Sequence, residues 1–92
     1  MANVAEGEYR ICNALGLHAR AAAQLVKVAN RHKSDVLVEC EGQSVNGKSI
    51  MGVLMLAAAQ GMTVKLRCSG DDASECLAEL ADLIARKFGE NQ

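Results

Sequence analysis

Residues Asp35–Ser49 read DVLVECEGQSVNGKS, and two incompatible folds can be built on them. Gly42 to Ser49 matches the phosphate-cradling pattern G-x-x-x-x-G-K-[ST], which belongs between a strand and a helix of a parallel sheet. The same residues read equally as a hairpin. Asp35–Glu41 alternates apolar and polar side chains as a half-buried strand does, Gly42 punctuates it, and Gln43–Asn46 can pair back as a short second arm. The hairpin prevails. Ninety-two residues are few for the crossover units that a nucleotide-binding parallel sheet requires. The later run Met62–Cys68 leads into Ser69 and Gly70 without an acid to hold magnesium. A phosphate loop would also be irregular where Gln43–Asn46 has to be extended.

Working downstream, Ser49 is a good N-cap and opens an apolar helix over Ile50–Gln60, with Gly61 at its C-terminal stop. Met62–Cys68 alternates again and predicts a strand. Asp72 and Glu75 have the spacing of a capping pair for a last helix, whose apolar face is Ala73, Cys76, Leu77, Leu80, Leu83, Ile84 and Phe88. Upstream, Gly7–Cys12 predicts a strand, Asn13–Leu17 a loop and Ala19–His32 a helix. On that first helix Ala22, Leu25, Val26 and Ala29 share one face, and Arg20, Gln24, Lys27 and Arg31 share the opposite one. The order is β-α-β-β-α-β-α over a single domain, 1–92. Short connections favour antiparallel neighbours, so a two-layer α+β sandwich is expected, with three helices on one face of the sheet.

Composition narrows the function. Half the residues are hydrophobic and 23% are charged, with a net charge of −1, so a core is available and a disordered polyelectrolyte is excluded. A near-neutral chain with 2% aromatics lacks the basic field and stacking rings that nucleic acid requires. There is no run of 18 apolar residues to span a membrane. The opening MANVAEGEYR has neither a cationic flank nor an apolar stretch, so no secretory signal is expected. Cys12, Cys40, Cys68 and Cys76 form no C-x-x-C pair; they read as small buried hydrophobes in strands and a helix, in a reducing cytoplasm. No metal and no cofactor is expected. Charge is uneven: Arg10, Arg20, Lys27, Arg31 and Lys33 lie in a stretch without acids, whereas six acids crowd the segment from Asp71 onward. The basic face suits solvent and an acidic partner equally well.

Gly16-Leu17-His18-Ala19-Arg20 leads into the first helix and puts His18 at or near its N-cap. Free backbone N–H groups and the positive end of the helix dipole converge there, so an anion is welcome. The same field favours a neutral imidazole, whose lone pair can attack phosphorus to give a labile phosphoramidate. Those amides would hold the phosphoryl oxygens, and Arg20 could add charge-assisted hydrogen bonds. His32, the other histidine, is fourteen residues away with no carboxylate between them, so a metal site competes poorly. Taken alone, His18 would also pass as a surface residue tolerated near a cap.

Two segments carry a family resemblance. Gly16-Leu17-His18-Ala19-Arg20-Ala21-Ala22 is similar to G-L-H-A-R-P-A, and Gly47-Lys48-Ser49-Ile50-Met51-Gly52-Val53 is similar to K-S-I-M-G-V. Both are signatures of the HPr phosphocarriers of the phosphoenolpyruvate-dependent phosphotransferase system. The resemblance spans essentially the whole chain in length and element order, and it accounts for the phosphate-loop look-alike. It implies an open-faced β-sandwich of four antiparallel strands under three helices. It implies that His18 is transiently phosphorylated, on Nδ1, with Arg20 assisting. Enzyme I would be the donor and enzyme IIA-type proteins the acceptors, and the carrier would be a phosphoryl-transfer intermediate more than an independent enzyme. In many bacteria the HPr kinase/phosphorylase would phosphorylate Ser49. Ala21 departs from the family proline, which predicts a helix start less rigid by about 0.4–1 kcal/mol.

Ser49 caps its helix in any case. A phosphate there would gain from the helix dipole and add about 1.5–2 negative charges to a docking surface that includes Arg20, Gln24 and Lys27. Helix 2 is apolar nearly all round. Val53, Leu56 and Ala57 can face the sheet, which leaves Ile50, Met51, Leu54 and Met55 as a second stripe suited to partner binding. A monomer is expected of a carrier that exchanges partners. Two rival readings remain: a regulatory binding module acting through phospho-Ser49, and a small ligand or nucleotide binder using Gly42–Ser49.

Overall fold

The hairpin is present. In the computed structural model, which describes residues 3–91, β2 (Asp35–Cys40) pairs antiparallel with β3 (Gln43–Asn46), with Val38 opposite Val45. Glu41 and Gly42, both at positive φ, make the two-residue turn whose twist suits the flanking strands. β1 (Val4–Arg10) and β4 (Thr63–Ser69) complete a four-stranded sheet in the order β1-β4-β2-β3, antiparallel throughout. Val36, Val38 and Cys40 of β2 and Val64, Leu66 and Cys68 of β4 point to one face, which is buried; their alternating neighbours face outward.

Helices α1 (Ala19–Asn30), α2 (Ile50–Met55) and α3 (Ala73–Ala85) complete the open-faced α+β sandwich, with α3 lying against β1 and β4 and α1 packing on both α2 and α3. Leu25 of α1, Val53 of α2 and Leu80 of α3 meet Val38 and Leu66 in the core, all with no exposed surface. Each fully buried leucine contributes about 1.5–3 kcal/mol. No helix among the described residues is long and apolar enough to cross a membrane.

Residue by residue, the phosphate-loop look-alike is used by the fold. Gly47 donates its N–H to the Val36 carbonyl, and a Cβ there would lie 2.5 Å from a Val36 methyl. Lys48 Nζ donates to the His32 carbonyl near the end of α1. Ser49 Oγ accepts the Gly52 N–H, as an N-cap should.

Several local expectations are corrected. α2 stops at Met55 instead of running to Gln60, because Ala57 adopts a left-handed φ of 49°. Ala57 is therefore exposed, not turned to the sheet, while Ala58 is buried and offers its carbonyl to Leu17. α1 ends at Asn30, two residues before His32, and β1 starts three residues and ends two residues earlier than the expected Gly7–Cys12. Cys12 thus falls beyond the strand and is exposed, unlike Cys40, Cys68 and Cys76. Burial pushes the Cys76 thiol up to about 12. Asp72 is the N-cap residue of α3 but makes no capping bond, because its carboxylate reaches across to the segment after α1. Phe88 is buried as periodicity predicts, yet not on α3: it sits beyond the helix end at a positive φ of 55°.

Candidate functional site

The approach to α1 is fixed by packing. Leu17 is buried and its N–H donates 2.8 Å to the Ala58 carbonyl. Gly16 has φ +66°, and a Cβ on it would lie 2.5 Å from that same carbonyl oxygen. Only glycine meets both demands. Asn13, wholly buried, spans the loop by donating from Nδ2 to the Gly16 carbonyl at 2.8 Å. These contacts leave His18 as the N-cap, with extended backbone.

The cap is the ring itself. His18 Nδ1 accepts the Arg20 N–H at 3.3 Å, so its lone pair looks into the mouth of the helix. The opposite nitrogen, Nε2, lies 2.5 Å from Glu90 Oε2. The side chain keeps 26% of its surface exposed. Glu90 arrives from the far end of the chain. Lys87 and Phe88 take left-handed backbone, Phe88 plugs into the core, and the turn this makes returns the tail to α1. Asn13 Nδ2 holds the other carboxylate oxygen at 3.1 Å. The hydrogen bond from His18, with smaller help from Asn13 and the nearby Arg20 charge, keeps the Glu90 carboxyl below its usual range. Beside these groups lies a shallow cleft of about 490 Å³ lined by Ala14, Leu15, Arg20, Phe88, Gly89, Glu90 and Asn91.

The other residues singled out by sequence lie nearby or apart as follows. Arg20 and Lys27 are exposed on α1 and Gln24 is half-buried; among the described residues neither cation forms an ion pair. Arg31, on the same predicted face, is not free: it pairs with Glu79 of α3 at 3.0 Å. Ile50, Met51 and Met55 are exposed large apolar side chains, and Leu54 is half-buried against the core. Ser49 is half-buried at the start of α2. Sequence reasoning missed Asn13 and Glu90. The first looked like an ordinary loop residue and the second like one acid among the six at the acidic end.

Fold and site together define a class: a small open-faced sandwich that presents an imidazole at a helix N-terminus. The pattern of the PTS HPr component phosphorylation site matches residues 5–86. The chain is 48% identical over 82 residues to the phosphocarrier protein HPr of Neisseria meningitidis serogroup B, covering 89% of this chain and 92% of that one. The crystal structure of HPr-C-His from Thermoanaerobacter tengcongensis superimposes with a TM-score of 0.92 at 45% identity, over 96% of this chain and 99% of the other. An HPr dimer from the same organism gives 0.76 at 48% identity, over 89% and 94%. The chain belongs to the HPr family of the phosphotransferase system.

Proposed function

We propose that this protein carries a phosphoryl group on His18, taking it from phosphorylated enzyme I and giving it to enzyme IIA-type acceptors in the cytoplasm. The observation that carries the reading is the orientation of the ring: Nδ1 offers its lone pair where the amides of α1 begin, on a half-exposed side chain. On phosphorylation the Arg20 N–H moves from Nδ1 to a phosphoryl oxygen, and the positive helix end offsets part of the added charge. Arg20, exposed beside the cleft, adds charge-assisted hydrogen bonds. Phosphoryl transfer depends chiefly on positioning and electrostatic stabilisation, so a rigid display of one ring suffices and the partner supplies the rest.

The partner surface combines the cations Arg20 and Lys27, with Gln24 between them, and the apolar Ile50, Met51, Leu54 and Met55. Their proximity is supported by the packing of α1 on α2 and by the Leu17 bond to Ala58 just past α2. Ser49 is a regulatory phosphorylation site in this reading. Its phosphate would keep the helix-end stabilisation that the hydroxyl has now, while repelling an acidic partner from Arg20 and Lys27. The carrier works as a monomer, although an HPr dimer is among the similar structures.

The test is incubation with phosphoenolpyruvate and enzyme I. An acid-labile, base-stable phosphate is expected on the wild-type protein and absent from His18→Ala. A label that survives His18→Ala, or none on the wild type, overturns the assignment.

A further inference from the structure

His18 has two ring nitrogens, and an imidazole in solution can offer either to phosphorus. Here one is engaged by a donor and the other by a carboxylate. The Arg20 N–H can only donate, so Nδ1 must be the acceptor. Glu90 Oε2 can only accept when ionised, so Nε2 must carry the proton. Three further contacts hold the carboxylate in place: Asn13 Nδ2 on its second oxygen, the buried Phe88 two residues earlier, and the left-handed turn at Lys87 and Phe88. The tail is thus built to bring one acid to one nitrogen.

From this geometry we infer that Glu90 is a positioning residue that selects Nδ1 of His18 as the phosphoryl acceptor and neutralises the ring as it reacts. The inference rests on the phosphocarrier reading above. In the step, the Nδ1 lone pair forms the N–P bond while the bond from phosphorus to the donor protein breaks, its electron pair leaving with the donor. The Nε2 proton stays where it is. The ring therefore becomes cationic, and the Glu90 carboxylate beside Nε2 supplies the counter-charge. The same carboxylate faces the Nε2 proton of the phosphorylated ring. A protonated imidazole is the better leaving group, so onward transfer is favoured as well. A tautomer fixed by the hydrogen bond on the opposite nitrogen is a general device of working histidines.

Ring ¹⁵N NMR of the unphosphorylated protein, with no phosphoryl donor present, reads the tautomer directly. The wild type is expected to show one tautomer, with the proton on Nε2. Glu90→Ala should populate both, split the phosphate between the two nitrogens, and slow labelling by enzyme I about 10–100-fold. Glu90→Gln keeps an acceptor oxygen without charge, so it should restore the single tautomer and Nδ1 labelling but not the rate. Backbone amide spectra of both variants check the fold. A single Nε2–H tautomer in Glu90→Ala, labelled at Nδ1 at the wild-type rate, overturns the role of Glu90 and leaves the phosphocarrier reading intact. Absent labelling of the wild type overturns that reading instead, while the ring spectrum still decides what Glu90 does to the imidazole.

Discussion

His18 opens α1 and His32 follows its other end, and each imidazole meets a carboxylate from the last quarter of the chain. At the C-terminal end both nitrogens face acids: Nδ1 lies 3.2 Å from Asp72 and Nε2 lies 2.8 Å from Glu79, which also holds Arg31. Asp72 is drawn in further by the Ser34 hydroxyl and by the Lys33 and Ser34 amides. That ring has a carboxylate facing each nitrogen and 11% exposure; it ties α1 to α3. At the N-terminal end only one nitrogen meets an acid, and the other meets a backbone donor. The helix supplies that asymmetry. Its N-terminus exposes N–H groups and its C-terminus exposes carbonyls. A histidine at the first can present a lone pair to an incoming anion, whereas one at the second is suited to being an anchor.

The largest expected effect separates the two rings. His18→Ala should lose the phosphate label entirely, and the lost N-cap bond should cost about 0.5–2 kcal/mol of stability. His32→Ala should label at the wild-type level but unfold earlier in urea, because it loses the bonds to Asp72 and Glu79 that tie α1 to α3. Loss of label in both variants would break the comparison.

Acid titration sharpens it. Hydrogen bonds from the Ser34 hydroxyl and the Lys33 amide hold the Asp72 carboxyl far below its usual range, and Glu90 is held low mainly by His18. A lowered carboxyl stabilises the fold fully above its unfolded value and loses that contribution as pH falls through the folded one. Stability should therefore decline below about pH 4. Asp72→Asn should flatten that decline more than Glu90→Gln does, as read from denaturation midpoints across the acid range. Equal flattening would mean that the two ends of α1 are held alike.

The smallest effect concerns Ala21, buried in the first turn of α1. Ala21→Pro should raise stability by about 0.4–1 kcal/mol by restricting the unfolded chain, with His18 labelling unchanged. A fall in labelling would show that the Ala21 N–H takes part at the helix mouth.

Much of this architecture was legible from local pattern. The alternation over Asp35–Glu41, the break at Gly42 and the Ser49 cap depend on residues a few positions apart, so the hairpin and the start of α2 could be read directly, although the strand ends at Cys40 and Glu41 belongs to the turn. The end of α2 could not. Gly61 looked like the stop, yet the chain leaves the helix at Ala57, where left-handed backbone costs an alanine about 1–2 kcal/mol. That cost is tolerated because the turn buries Ala58 and aims its carbonyl at Leu17. Asp72 misled for a related reason: its cap spacing was right, but the amides across the α1–α3 gap bind it instead.

The sequence by itself determined the order of elements, the antiparallel hairpin and the position of His18 at the first turn of α1, because periodicity and capping act between near neighbours. Only the tertiary structure decided which acid each histidine meets. Glu90 stands 72 positions from His18, and Asp72 stands 40 from His32. Over such separations no local preference links two side chains; they meet because helices and tail are packed against one shared core.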